Sequence, residues 1–429
     1  MDTAVPPTLT PSATPLPATP TPIPPTQTPT ATATPSPTAT PDFSCPQPGG
    51  NATLETSLDF PEFSEKLVAY LNQVGTIEQL PEQLEALNIE YDIFPVDMND
   101  DDALEFVLNV AIPPEGEMAF PGDRGTAILQ CRNGSYEVIF DIWSGIYRFF
   151  RYTFSDDVDN DGNQDVIIVG GFAGSACDLE PKVFIWSESE IVDASPDHRE
   201  LALGCSHEDM VLTEDIDGDG AKELIISGWT VGHLDYAPPR TITQTFTLQN
   251  GTYHLQTTEF GPPEYLVHLL DDAQRVLDSS DLVMAAQLYE TIAEEQSLPT
   301  VFSDYIGPPQ AATERGIEPD YPQEYQQAFA LFRLAALQTV LGNTTEADWA
   351  LTQLKERFPQ GTPGAEFISL TLLLVNSLQQ GDTPESACEA VAQEIEQTYP
   401  KLGAHYYWGW NIAWYQNETI CPFTEPFYD

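Results

Sequence analysis

The stretches Asp157-Val158-Asp159-Asn160-Asp161-Gly162-Asn163-Gln164-Asp165 and Asp215-Ile216-Asp217-Gly218-Asp219-Gly220-Ala221-Lys222-Glu223 share the pattern D-x-D-x-D-G-x-x-[DE]. Carboxylates at positions 1, 3, 5 and 9 point into one turn. The Gly at position 6 supplies the positive φ that curls the backbone and aims a carbonyl inward from position 7. The result is an oxygen cage suited to Ca²⁺. Clustered carboxylates repel one another when no cation is present, which disfavours a merely solvated acidic turn. The expected ligands are Asp157, Asp159, Asp161, Asn163 and Asp165 in one loop, and Asp215, Asp217, Asp219, Ala221 and Glu223 in the other.

The residues after each loop separate two kinds of calcium module. An EF-hand needs a bidentate Glu at position 12 and a helix after it. Position 12 here is Ile168 or Ile226, inside the runs Val166-Ile167-Ile168-Val169-Gly170-Gly171 and Leu224-Ile225-Ile226-Ser227-Gly228-Trp229. Short β-branched runs ended by Gly are buried strands. A further copy, Asp97-Met98-Asn99-Asp100-Asp101-Asp102-Ala103-Leu104-Glu105, precedes Phe106-Val107-Leu108-Asn109-Val110 and carries Asp102 in place of the Gly. Its candidate ligands are Asp97, Asn99, Asp101 and Glu105. Loop starts at 97, 157 and 215 are evenly spaced, at the length of a four-stranded unit. Asn-Gly turns at Asn133-Gly134 and Asn250-Gly251, with Trp186 to Glu190 in the same phase, predict a hairpin in each unit.

The loop-then-strand pattern resembles the FG-GAP or VCBS-type repeat, in which a Ca²⁺ loop joins the first two strands of a β-propeller blade. The resemblance implies three blade-like units over 97–260. Three is fewer than the four to eight blades of a closed propeller, so an open or compact β assembly with covered ends is expected. Residues 43–96 read as its lead-in: two short helices, from Phe60 to Val74 and from Ile77 to Leu87, and a strand from Ile89 to Phe94.

From Pro262 apolar residues recur at three and four. Glu264 to Leu277 with Leu282 to Glu295, Gln323 to Leu341 with Thr345 to Phe358, and Ala365 to Gln380 with Pro384 to Tyr399 form three helical pairs. They turn at Ser279-Ser280, Gly342-Asn343 and Gly381-Asp382. Leu331, Leu334, Ala335, Ala347, Leu351 and Pro359 resemble the packing positions of tetratricopeptide repeats. That resemblance implies a solenoid over 261–429 whose concave face binds a peptide, or which serves as a rigid spacer. The aromatic run Ala404 to Tyr415 reads as a capping helix. The fold class expected is multidomain α+β: propeller-like blade repeats plus an all-α helical-repeat solenoid, behind a disordered or polyproline II tract.

That tract, 1–42, is almost wholly Pro, Thr, Ala and Ser, a semi-rigid spacer with mucin-like acceptors for O-glycans. It resembles the spacers of bacterial surface lipoproteins. Neither a signal peptide nor an apolar run of membrane-spanning length occurs in the sequence. The 429 residues carry 15 Lys and Arg against 67 Asp and Glu, a formal charge of −52. That field repels nucleic acid and attracts divalent cations and basic partners.

Six cysteines lack any C-x-x-C pair and fit an oxidising, extracellular setting. Order along the chain favours Cys45 with Cys131, Cys177 with Cys205 and Cys388 with Cys421, and the competing reading is a zinc site from Cys177, Cys205 and His207. H-E-x-x-H, G-x-S-x-G, G-x-x-x-x-G-K-[ST] and Rossmann glycines are all missing from the sequence, so enzymatic activity is not expected. Two readings stand: a calcium-binding surface protein mediating adhesion or protein–protein interaction, and a self-associating subunit of an extracellular filament or surface layer.

Overall fold

A computed structural model describes residues 52–55, 60–74, 77–101, 103–112, 124–132, 134–145, 148–173, 177–187, 190–201, 203–204, 210–230, 240–299, 323–400, 402 and 420–423. All belong to one compact unit, Asp42–Asp429. The Pro/Thr tract, Asp102, Cys45, Cys205, His207 and the aromatic run from Ala404 to Tyr415 lie outside the described residues, as does the Cys177 side chain. The architecture is mixed α+β, with antiparallel sheets followed by helices.

Helices α1 (Phe60–Val74) and α2 (Leu80–Ala86) precede the first sheet, a meander of β1 (Glu90–Val96), β2 (Glu105–Ala111), β3 (Arg124–Arg132) and β4 (Ser135–Gly145). The helical spacing of Phe63, Leu67, Tyr70 and Leu71 places them on one stripe. This stripe buries against Leu108, Val110, Ala127 and Leu129, so the first sheet has its outer face covered by the lead-in helices. Each strand alternates its faces, and Val107 and Ile128 therefore point the other way. There they meet Val166, Ile168 and Phe184 of the next unit.

The second sheet has ten strands and holds two more meanders. One comprises β5 (Arg148–Asp156), β6 (Asp165–Ala173), β8 (Lys182–Ser187) and β9 (Glu190–Asp193). The other comprises β11 (Met210–Glu214), β12 (Glu223–Thr230), β13 (Thr241–Gln249) and β14 (Thr252–Phe260). Two strands that the periodicity does not predict join them: β7 (Cys177–Leu179) pairs with β6, and β10 (Leu203–Gly204) bridges β7 and β12. Ile167, Val169 and Val183 pack with Leu224, Ile226, Ile242 and Phe246 between the two meanders. The Asn250-Gly251 turn has both residues at positive φ, 52° and 79°, as a two-residue type I′ hairpin requires. The free edge of β14 is capped from the preceding unit: Tyr253 N donates to Ala194 O at 2.9 Å and Leu255 N to Glu200 Oε2 at 3.1 Å.

The helices come next, in antiparallel pairs: α3 (Leu266–Asp278) with α4 (Leu282–Glu294), α5 (Gln323–Val340) with α6 (Thr344–Arg357), and α7 (Glu366–Gln380) with α8 (Pro384–Thr398). Their turns fall at Ser280, Gly342 and Gly381, all at positive φ. Asp281 and Thr383 cap α4 and α8 by accepting from Met284 N and Ser386 N. One apolar core runs through these six described helices. Arg333, fully buried within it, donates to Ile420 O at 3.0 Å, to Tyr289 Oη at 2.7 Å and to Gln274 Oε1. Cys388 is joined to Cys421, the pairing expected from chain order, with Cα atoms 5.5 Å apart. Cys131 is also disulfide-bonded. At the junction of sheet and helices, Arg240 donates to Gly261 O at 2.7 Å and to Asp272 Oδ1 at 2.6 Å, while the Arg275 guanidinium lies over the Phe260 ring.

Candidate metal centre

Each acidic loop joins the first two strands of a meander: β1 to β2, β5 to β6, and β11 to β12. The ladder closes all three loops in the same way. The residue before position 1 pairs with position 9: Val96 with Glu105, Asp156 with Asp165, and Glu214 with Glu223. Position 9 is thereby drawn into the buried start of the second strand. Its carboxylate accepts the N–H of position 2 in every loop, from Met98 and Val158 at 2.9 Å and from Ile216 at 2.8 Å.

The turn between these ends repeats as well. The position 3 side chain accepts from the N–H of position 5: Asn99 from Asp101, Asp159 from Asp161, Asp217 from Asp219. The position 5 carboxylate accepts from the N–H of position 7: Asp101 from Ala103, Asp161 from Asn163, Asp219 from Ala221. Position 4 sits at positive φ throughout, Asp100 at 51°, Asn160 at 59° and Gly218 at 79°. Asp, Asn and Gly are the residues that tolerate this region. Asp97 and Asp157 accept from Asp101 N and Asp161 N, and Asp215 from Gly218 N.

Carboxylate oxygens converge in two of the three loops. Asp157, Asp159 and Asp165 bring one oxygen each within 4.8 Å of one another, and so do Asp215, Asp217 and Glu223. An ion with oxygen bonds of about 2.3–2.6 Å sets its ligands no more than about 5 Å apart, so both triads fit a hard divalent cation. Asp161 and Asp219, read from the sequence as ligands, fall outside the triads and bind the N–H groups of Asn163 and Ala221. The Asp97 loop has the same backbone turn, but Asp97, Asp101 and Glu105 form no such triad among the described residues. Position 3 there is the neutral Asn99, and the second oxygen of Glu105 accepts from Gln130 Nε2 at 2.8 Å.

Burial pushes the Asp165 carboxyl up to about 7, against the lowering effect of its bonds from Val158 N and Trp186 N, with the charges of Asp159 and Asp161 adding to the rise. Asp159 is raised by burial first and by Asp161 next, and Glu105 by burial. A group held this way resists carrying negative charge until a cation arrives.

The two triad loops touch. Lys222 N donates to Val158 O at 2.7 Å, and Lys222 Nζ lies 2.5 Å from Asp156 Oδ1. Asp156 Oδ2 accepts from the Thr213 hydroxyl at 2.5 Å. The buried Tyr253 hydroxyl donates to Lys222 O at 2.8 Å, and its phenol is pushed upward by burial and by Asp165, Glu223, Asp156 and Asp159. Neither Lys222 nor Tyr253 stands out in the sequence. The available signal is a lone cation inside an acidic loop and a Tyr two residues after an Asn-Gly turn.

No protein-family model matches the chain, and no curated protein matches it. Among solved structures it is similar to a rhamnogalacturonan lyase, PL11, of Bacillus licheniformis. The TM-score is 0.25 at 11% identity, over 40% of this chain and 35% of the lyase.

Proposed function

We propose that the protein is a non-enzymatic, extracellular or cell-surface calcium-binding protein, whose acidic loops stiffen a set of blade-like β units of FG-GAP or VCBS type and whose helical region mediates protein–protein contact. The observation that carries this reading is the pair of converging carboxylate triads on one repeated turn, each anchored at the entrance of a buried strand. Asp157, Asp159 and Asp165 hold one ion and Asp215, Asp217 and Glu223 the other, with the carbonyls of Asn163 and Ala221 completing each set. The Cys388–Cys421 bond supports an oxidising location. The helix pairs, whose Ala347, Leu351 and Pro359 resemble tetratricopeptide packing positions, provide the surface for a protein or peptide partner.

Calorimetric titration of the chelator-treated chain with Ca²⁺ tests the proposal. Binding at two sites, lost when Asp159→Ala and Asp217→Ala are combined, supports it, and no heat above dilution refutes it. No described helix is long and apolar enough to cross a membrane.

Self-association into a filament is the second reading, and one contrast favours it. The position 2 side chains Met98 and Val158 are fully buried, whereas Ile216 of the last unit is 57% exposed, and Met210 on β11 is exposed as well. At position 2 the last unit thus presents an apolar side chain where its predecessors bury theirs. Electron microscopy with Ca²⁺ decides between the readings: ordered polymers that Ile216→Glu abolishes favour the filament, and monodisperse particles favour the first reading.

A further inference from the structure

The peptide unit between Ala221 and Lys222 belongs to one triad loop and hydrogen-bonds the other. Its carbonyl is the position 7 oxygen of the third unit's loop, and its N–H is the donor to Val158 O in the second unit's loop, at 2.7 Å. The next peptide carbonyl, Lys222 O, is held by the buried Tyr253 hydroxyl at 2.8 Å, and it leads directly into the ligand Glu223. On the other side, Val158 O belongs to the peptide whose N–H is that of Asp159, a ligand of the second loop. Val158 N in turn donates to Asp165, another ligand of that loop. One short path of hydrogen bonds therefore links the peptide that carries the candidate position 7 carbonyl of one loop to two candidate ligands of the other.

Two side-chain contacts reinforce the path. Lys222 Nζ pairs with Asp156 at 2.5 Å, and Asp156 immediately precedes the first ligand of the second loop and accepts the Asp157 N–H at 3.0 Å. A Cβ on Gly220 would meet Asn160 Nδ2 at 3.0 Å, so the tips of the loops pack without space to spare. The Asp97 loop has Leu104, 48% exposed, at the position of Lys222, and has no such ammonium.

Resting on the calcium reading above, we propose that the loops of the second and third units fill as a coupled pair, occupancy of either raising the affinity of the other about tenfold, with Lys222 and Tyr253 as the coupling residues. An ion in the third loop fixes the Ala221 carbonyl, and the same rigid peptide plane then fixes the donor to Val158. The second loop's ligands are thereby ordered before its own ion arrives, and the cost of that ordering is removed from the second binding step. Repulsion between the two ions works against this. Each loop carries four carboxylates, however, so one Ca²⁺ leaves its own loop net negative, and the second ion still enters a negative field.

The test is a titration of the full chain with Ca²⁺ by calorimetry, and with Tb³⁺ by luminescence sensitised through Tyr and Trp. The wild type is compared with Asp159→Asn, which disables the second loop, and Asp217→Asn, which disables the third. Coupling predicts a Hill coefficient above one in the wild type. It also predicts that the remaining site of each variant binds about tenfold more weakly than in the wild type, by the same factor in both. Tyr253→Phe and Lys222→Gln should each bring the Hill coefficient toward one while two ions still bind, a change that a purely structural role for these residues would not produce. Two ions binding with a Hill coefficient of one in the wild type would overturn the coupling and leave the calcium reading intact. No binding by the wild type would overturn both. The wild-type Hill coefficient stands by itself if a variant fails to fold.

Discussion

Metal-free protein should lose stability as the pH rises through neutrality. Asp165 begins β6 with no exposed surface, and burial raises its carboxyl from 3.8 to about 7. Between those values the folded chain holds a proton that the unfolded chain has released. The stabilisation is therefore fully present below about pH 4 and is lost as the pH rises through about 7. A shift of about three units corresponds to about 4 kcal/mol, an order-of-magnitude figure to which Asp159 adds in the same direction. Ca²⁺ bound at the triads should reverse the effect, because a bound cation favours the ionised carboxylate. At one hundred times its dissociation constant each ion contributes about 2.7 kcal/mol. Urea denaturation of protein freed of metal on a chelating resin, at pH 5 and pH 8 and with and without Ca²⁺, measures both terms. The expected result is a lower midpoint at pH 8 without metal and a larger gain from Ca²⁺ at pH 8 than at pH 5. Asp165→Asn should flatten the metal-free difference. Equal metal-free midpoints at the two pH values, or an equal Ca²⁺ gain at both, would refute the reasoning.

The helical region gives three further expected outcomes. Ser280 turns between α3 and α4 at a φ of 67°, so Ser280→Gly should raise the stability by up to about 1 kcal/mol, read from the same denaturation curve. Arg333→Ala strips Ile420 O, Tyr289 Oη and Gln274 Oε1 of a buried donor. It should cost about 3 kcal/mol or more, with a lower urea midpoint at unchanged Ca²⁺ stoichiometry. Replacing Cys388 and Cys421 together by Ser opens a link of sequence separation 33. On the chain-entropy account that costs about 3–4 kcal/mol, visible as a lower melting temperature and as a smaller further drop in reductant than the unsubstituted chain shows, the Cys131 disulfide still being present.

Local chemistry explains which features are legible in the sequence. The helix turns at Ser280, Gly342 and Gly381 and the hairpin at Asn250-Gly251 are positions where backbone conformation selects the residue type, so they can be read one residue at a time. The acidic loops are legible for the same reason, and the six paired helices begin and end within two residues of their expected bounds. The two-residue β10 and three-residue β7 carry no period, because they exist only through pairing with distant strands. Which carboxylates converge is likewise hidden: positions 1, 3, 5 and 9 all accept N–H groups of their own loop, and spacing alone does not set Asp161 and Asp219 apart from the triads. Contact between the loops through Lys222 and Val158 depends on how β5 and β11 come together, which no local pattern encodes.

The central claim, that two carboxylate triads on a repeated turn each hold a calcium ion, is tested most directly by counting ions. Equilibrium dialysis of the full chain against ⁴⁵Ca²⁺, after exhaustive chelation, should return two ions per chain at saturation. It should return one for Asp159→Ala and one for Asp217→Ala, and none above the nonspecific background when the two are combined. The same value for the wild type and the doubly substituted chain would contradict the account, because the general attraction of so acidic a chain would then explain all the binding.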